Sequence, residues 1–391
     1  MIPFEEALGI VKSFARTLGS ENVDLFHALH RTLACDVYSD ISMPPFNKSA
    51  MDGYACRKSD LKNPLQVIEE IAAGTVPVKT VRENQCARIM TGAMVPEGAD
   101  FVIMKEDISN FSPDIVLCKT ETLKANICYK GEDVKAGDLV LKKGGHISPS
   151  YIAMMASVGC IHPLVYKKPS VAIISTGNEL VGPEEVQGIS KIRNSNGYQL
   201  IAQTQQLGVM PDNLGIVRDD EQYLKNVLSL VLEKYDITII SGGVSVGDFD
   251  FVPKILNLLN VNILVHGMDV RPGKHLLFGE RANHFVFGLP GNPVSSFVQF
   301  ELLIRPFLHA LMGKTGSEPL LHLPLEEDYT RKKGDQLLFV PVTLTKQGKV
   351  SIVEYHGSAH IHAYVNAQGL MEIPKSISFI KKGETVCVRP L

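Results

Sequence analysis

Asp248 and Asp250 close the stretch SGGVSVGDFD (241–250), which has Gly242 and Gly243 at its head and follows the apolar run Ile237-Thr238-Ile239-Ile240. A strand that ends in paired glycines lets backbone N–H groups approach an anion closely. Carboxylates just beyond such a turn suit Mg²⁺, which takes one or two of them together with phosphate oxygens and water. Two further apolar runs end in similar turns. STGNEL (175–180) contains Ser175, Gly177 and Glu179, and GLPGNPVSS (288–296) contains Pro290, Gly291, Asn292 and Pro293. In the last, Asn292 suits an N-cap and Pro293 a first helical residue, and the N–H groups that follow would be open to an anion. VRPGKHLLFG (270–279) adds Arg271, Lys274 and His275. Each feature alone has a plainer reading as punctuation, cap or helix start. Together in one segment they point to a ligand with phosphates. Gly242, Gly243, Ser245 and the other turn residues would hold it, with Asp250, Asp248 and Glu179 as candidate metal ligands.

The elements that must position these turns follow from periodicity. From Ser170, strands alternate with helices: SVAIIST, NSNGYQLIAQTQQLG, NLGIVRD, DDEQYLKNVLSLVLEKY, DITIIS, FVPKILNLL, HFVFGLP and NPVSSFVQFELLIRPFLHAL. That alternation predicts a mostly parallel sheet with helices on both faces, whose ligands sit at the carboxyl ends of the strands. Asp219 and Gln222 are spaced for a capping box on the second helix. Upstream, Phe4, Leu8, Val11, Ala15 and Leu18 mark one face of a helix, and 149–160 reads as another. Between them lie short apolar segments (66–71, 86–90, 101–104, 115–118) separated by Gly, Pro, Asn and Asp, which predict a β-rich module. That module holds Asp52 in PPFNKSAMDGYA, Thr91 in IMTGA and Asp133 in GEDVKAGD, each of which reads most simply as a turn residue. Short strands return after Gly313, and there HGSAHIHAY (356–364) would put His360 and His362 on one face of a strand. A metal site on those two alone, with no acid or cysteine beside them, is the weaker reading.

Composition bounds the function. A chain of 391 residues predicts two to four domains. A net charge of −3 argues against a nucleic-acid or anionic-membrane binder. Seven scattered cysteines, no two in a CxxC pair, fit reduced thiols, and Cys56 reads as structural. Glu5 and Glu6 stand where a signal peptide needs positive charge, and no apolar run is long enough to span a membrane. The expectation is a cytoplasmic enzyme.

The motifs PPFNKSAMDGYA, RIMTGAMVPEGADFVIMKED, GEDVKAGD, STGNELV, IRNSNGYQL, SGGVSVGDFD, RPGKHLLFG and GLPGNPVSSFVQF follow one another here in the order in which they occur in the MoeA family. The chain resembles that family from about Pro44 to Pro306 and more weakly beyond. The resemblance implies an α/β multidomain protein. Residues 1–44 with 141–168 would be a discontinuous helical domain I, and 45–140 an inserted β-rich domain II. Residues 169–312 would be an α/β molybdopterin-binding domain III, and 313–391 a C-terminal β-domain IV. It implies a homodimer whose active site combines the α/β domain of one subunit with the second and fourth domains of the other. The implied reaction takes adenylylated molybdopterin and molybdate, releases AMP with the help of Mg²⁺, and yields the molybdenum cofactor. Other proteins of that pathway are implied partners.

By motif, Asp52, Thr91 and Asp133 correspond to active-site residues of the partner's second domain. Glu179, Asp219 and Asp250 correspond to acids of the ligand domain, and Ser358 to a serine of the fourth. Gly267 and Arg271 stand near positions where the family often has lysine, and FVPV (339–342) lacks an arginine the family often has. The expectation is a shortfall of positive charge, which Lys274 or His275 would offset. A non-catalytic molybdopterin-binding scaffold is the alternative. Adenylyltransfer to molybdopterin is disfavoured by the additional modules.

Overall fold

The computed structural model describes residues 1–391 apart from 113, 120–123, 245–249, 315, 317–318 and 356. Helix α1 (Phe4–Phe14) starts behind Pro3 and buries Phe4, Ala7 and Val11. The helical spacing extends to Leu18, but the helix ends at Phe14. Ala15 turns extended, and Ser20–Asn22 pairs antiparallel with Leu164–Tyr166. A sheet partner far along the chain overrides local periodicity here.

The β-rich module contains β1 (Gly53–Cys56), β2 (Leu65–Ile71), β3 (Gln85–Ile89), β4 (Phe101–Met104), β5 (Ile108–Ser112) and β6 (Ile115–Cys118), in the order β4-β1-β3-β2-β6-β5. Helix α2 (Pro149–Ser157) follows, with the Ser148 hydroxyl accepting from the Tyr151 N–H at its start.

The α/β domain runs β7 (Val171–Thr176), α3 (Ser195–Gln206), β8 (Asp212–Val217), α4 (Glu221–Lys234), β9 (Ile237–Ser241), α5 (Val252–Leu258), β10 (Asn262–His266), the short β11 (Val270–Arg271), β12 (Leu277–Arg281), β13 (His284–Leu289), α6 (Pro293–Gln299) and α7 (Arg305–Leu311). A π-type turn, Phe300–Ile304, joins α6 to α7. The sheet order is β8-β7-β9-β13-β12-β10. The first four strands are parallel, as the alternation predicts, and β12 and β10 extend the edge antiparallel. Every residue of β7, β9 and β13 is buried. That accounts for their unbroken apolar runs, since a parallel sheet is covered on both faces.

The cap of α4 differs from expectation. Asp220 caps it, accepting from the Tyr223 N–H at 2.7 Å, and Asp219 is left for another task.

The C-terminal β-domain contains β14 (Leu321–Pro324), β15 (Leu337–Leu344), β16 (Gly369–Ile373) and β17 (Thr385–Pro390), with Val350–Ile352 pairing off β15. Its sheet order is β11-β15-β16-β17-β14, so the α/β domain contributes one short strand to it. One apolar cluster spans the joint. It unites Phe4 and Val11 of α1, Phe278, Phe287 and Phe307 of the α/β domain, and Phe339 and Leu370 beyond. Among the described residues, no helix is long and apolar enough to cross a membrane.

Candidate functional site

The three glycine turns are neighbours, because β7, β9 and β13 are adjacent in register: Ser175 pairs with Ser241, and Ser241 with Leu289. Their carboxyl ends form one platform. The second turn lies tight against the first. Gly242 has φ +100°, and a Cβ there would sit 2.1 Å from the Thr176 carbonyl oxygen. Its N–H, expected to face an anion, instead donates to the Leu289 carbonyl at 2.9 Å. Gly242 therefore serves a close backbone approach that ties the second and third turns together.

Two asparagines in the motif NSNG brace the platform from the start of α3. Asn194 Oδ1 accepts from the Gly197 N–H and the Ser175 hydroxyl, both at 3.0 Å. The Asn196 Nδ2 donates to Ser241 Oγ at 2.8 Å and to the Gly291 carbonyl at 2.9 Å. In the sequence they stand only as polar residues at the start of a helix. Asp219 accepts at Oδ1 from the Thr176 hydroxyl and at Oδ2 from the Asn178 N–H, 3.2 Å away. Its carboxylate thus holds the first turn. Glu179 folds back over that turn, so that a Cβ on Gly177 would lie 2.7 Å from both carboxylate oxygens. Asp250 lies just before α5, while Asp248 and Ser245 lie outside the described residues. Among the described residues, no group of three or more His, Cys, Asp and Glu is arranged to hold a metal ion.

The third turn opens into a cleft of about 690 Å³ between the α/β and C-terminal domains. Arg271, Lys274, His275, Pro290, Asn292 and Ser295 line one side, and Arg331, Lys332, Lys333, Gln336, Tyr355 and Ser358 the other. Asp335 is the one acid among its described lining residues, against five arginines and lysines. The expected charge shortfall is thus met from TRKKGD (330–335), a charge run with the composition of an ordinary solvated loop. Arg331 is itself an anchor, donating to the carbonyls of Ile377, Gln336 and Pro374 at 2.6, 2.9 and 2.8 Å. The ammonium groups of Lys274, Lys332 and Lys333 have no hydrogen-bond or ion-pair partner among the described residues, which leaves them to the cleft. Burial pushes the Tyr355 phenol up to about 12, so it stays an O–H donor at neutral pH.

The loop that presents Arg271 and Lys274 is held from beneath by Gln299 of α6. Its buried amide donates to the Gly273 carbonyl and, at 3.1 Å, to that of His275. Nothing in the sequence distinguishes this glutamine within its apolar helix. The start of α6 is less open than expected. Asn292 occupies the cap position without a side-chain cap bond, Pro293 has no N–H, and the Val294 N–H donates to the Ser358 carbonyl at 3.1 Å. This contact seats Ser358 at the cleft. His360 and His362 do not share a strand face, because Ile361–Tyr364 is a 3₁₀ turn that packs Tyr364 against Phe297.

In the β-rich module, Asp52 Oδ1 accepts from both the N–H and the hydroxyl of Thr91, at 2.8 and 2.7 Å. Lys105 Nζ lies 3.9 Å from the other oxygen. The Thr91 bonds hold the Asp52 carboxyl below the usual carboxylate value, with a smaller contribution from Lys105. Asp133 stands on a turn, and its N–H donates to the Met43 carbonyl at 3.1 Å. Among the described residues, no hydrogen bond or ion pair joins Asp52, Thr91 or Asp133 to the strand-end platform.

Residues 2–159 match the MoeA N-terminal region (domain I and II), residues 172–310 a probable molybdopterin binding domain, and residues 323–391 the MoeA C-terminal region (domain IV). The molybdopterin molybdenumtransferase of Staphylococcus epidermidis is 35% identical over 377 residues, covering 94% of this chain and 90% of the relative. That of Staphylococcus aureus is 34% identical over 395 residues, covering 98% and 94%. The crystal structure of the molybdopterin biosynthesis MoeA protein of Pyrococcus horikoshii superposes with a TM-score of 0.85 at 30% identity, covering 100% of both chains.

Proposed function

The chain belongs to the MoeA family, and from that premise we propose that it is a molybdopterin molybdenumtransferase of molybdenum cofactor biosynthesis. Its substrates are then molybdate and adenylylated molybdopterin, and AMP leaves as the metal enters. The observation that carries this reading is the basic cleft at the end of β13. It opens beside three strand-end turns and offers Lys274, Lys332 and Lys333 to an anion. We assign the oxyanion to that cleft, with Arg271 and Ser358 at its wall, and the phosphates of the substrate to the platform of Ser175, Gly177, Gly243 and Gly291.

Catalysis on this reading is positional and electrostatic. Fixed cations and backbone dipoles stabilise charge that grows on the pyrophosphate as it is cleaved. No nucleophilic side chain is required. The donors at the platform, the carboxylates of Glu179 and Asp250, are hard oxygen ligands of the kind Mg²⁺ takes, so the residues present fit that ion. Bound there, Mg²⁺ would neutralise phosphate charge. Asp219 acts through the turn it holds. Asp52, Thr91 and Asp133 serve the site of a partner subunit, which makes the working unit a homodimer. The same reading divides the chain into 1–44 with 141–168, 45–140, 169–312 and 313–391.

The test is AMP release from adenylylated molybdopterin by the purified protein with Mg²⁺, with and without molybdate. Molybdate-dependent release that drops by roughly tenfold or more in Asp250→Ala is expected. Tight binding of the substrate without release would mark the chain as a carrier instead.

A further inference from the structure

The basic cleft contains a side chain whose chemistry is dictated from both sides. Gln336 sits one residue before the short parallel ladder, Val270 with Leu337 and Arg271 with Leu338, that joins the α/β domain to the C-terminal sheet. Its Nε2 donates to Asp269 Oδ1 at 2.7 Å, and its Oε1 accepts from Arg271 Nε. Asp269 Oδ2 also receives Lys375 Nζ at 3.2 Å. The bonds from Gln336 and Lys375 hold the Asp269 carboxyl below its ordinary value, so it is ionised and can only accept. Arg271 can only donate. The residue between them must accept on one side and donate on the other, and this orients the Gln336 amide without ambiguity. A glutamate there would face Asp269 with a second acceptor, and a lysine would face Arg271 with a second donor. The backbone of Gln336 is itself pinned, because Arg331 Nη1 donates to its carbonyl at 2.9 Å.

We propose that Gln336 is a positioning residue for the anion site. It holds Arg271 by Nε so that the two terminal nitrogens of the guanidinium face the cleft, and Asp269 sets the orientation of the Gln336 amide. The assignment rests on the reading of the cleft as an oxyanion site, and it adds the device that sets how well Arg271 binds there. A guanidinium fixed at Nε presents two parallel N–H donors to a tetrahedral oxyanion. An unfixed one loses side-chain entropy on every binding event.

Two measurements on the full chain test this. In the first, ¹⁵N-arginine NMR reads the Arg271 Nε–H resonance, assigned by its loss in Arg271→Lys. Slow solvent exchange is expected in the wild type and fast exchange in Gln336→Leu. Asp269→Leu, which removes the acceptor that orients the Gln336 amide, weakens the protection. Unprotected Arg271 in the wild type, or protection that survives Gln336→Leu, overturns the proposal. In the second, calorimetric binding of molybdate is compared in Arg271→Ala, Arg271→Lys, Gln336→Leu and the double variant of the last two. Gln336→Leu should weaken binding roughly threefold to tenfold and cost nothing further in the Arg271→Lys background. Losses that multiply would overturn the positioning role. Wild-type affinity in Arg271→Ala would instead overturn the oxyanion reading of the cleft, and the NMR result then stands apart from it.

Discussion

Asp219 separates two accounts of the strand-end platform, one in which its carboxylate touches the ligand and one in which it braces the first turn. In the structure both of its oxygens are engaged, one by the Thr176 hydroxyl and one by the Asn178 N–H. Thr176 is only 2% exposed. Asp219→Ala therefore strands a buried hydroxyl, which costs about 1–3 kcal/mol, whereas water can replace the bond to the Asn178 amide at about 0.5–1 kcal/mol. The sum is about 1.5–4 kcal/mol, confined to the turn after β7. Asp219→Asn keeps an acceptor for one bond and a polar group for the other, so its loss should stay within about 1 kcal/mol. The assay pairs thermal unfolding with AMP release at a temperature well below both transitions. If the brace is the role, the Asp219→Asn protein melts near the wild type and keeps most activity, and the Asp219→Ala protein loses both together. A fully folded Asp219→Asn protein that releases no AMP would refute the reasoning and return Asp219 to the ligand.

The remaining predictions concern other parts of the molecule. Gly242→Ala should destabilise the platform by roughly 2–4 kcal/mol, from a Cβ forced onto the Thr176 carbonyl at positive φ, and lower the melting temperature. Gly291→Ala, which meets nothing within 4 Å, should change it little. The Asp52 carboxyl has a depressed pKa, so the stability it adds through Thr91 is complete above its ordinary value of 3.8 and is lost as pH falls through the folded value. The difference in melting temperature between wild type and Asp52→Asn should therefore persist at neutral pH and close in strong acid; a difference that grows toward acid would contradict the sign. Lys332→Glu and Lys333→Glu should each weaken molybdate binding by about tenfold at low salt and flatten its dependence on ionic strength, measured by titration calorimetry.

The alternation of strands and helices, the three glycine turns and the family itself were legible in the sequence because each is a local pattern. Runs of β-branched residues predict buried strands, polar caps mark α3, and the motif order carries the resemblance to MoeA. What could not be read was which side chain faces which partner. Asp219 and Asp220 are adjacent and chemically alike, and only the packing of the turn after β7 against the end of β8 decides that Asp220 caps α4 while Asp219 holds Thr176. The charge at the cleft had the same character. Absent arginines and lysines near Gly267 and Phe339 predicted a deficit, but a loop that belongs to a different domain brings Lys332 and Lys333 to the cleft that Lys274 lines.

By itself the sequence determined the alternation of strands and helices in the α/β domain and the family, since these depend on periodicity and on the order of short motifs. The tertiary structure alone decided the assignments of Asp219, Gln299 and Gln336. A carboxylate or an amide has no fixed partner in the chain, and its role is set by whichever buried donor or acceptor folding brings within about 3 Å.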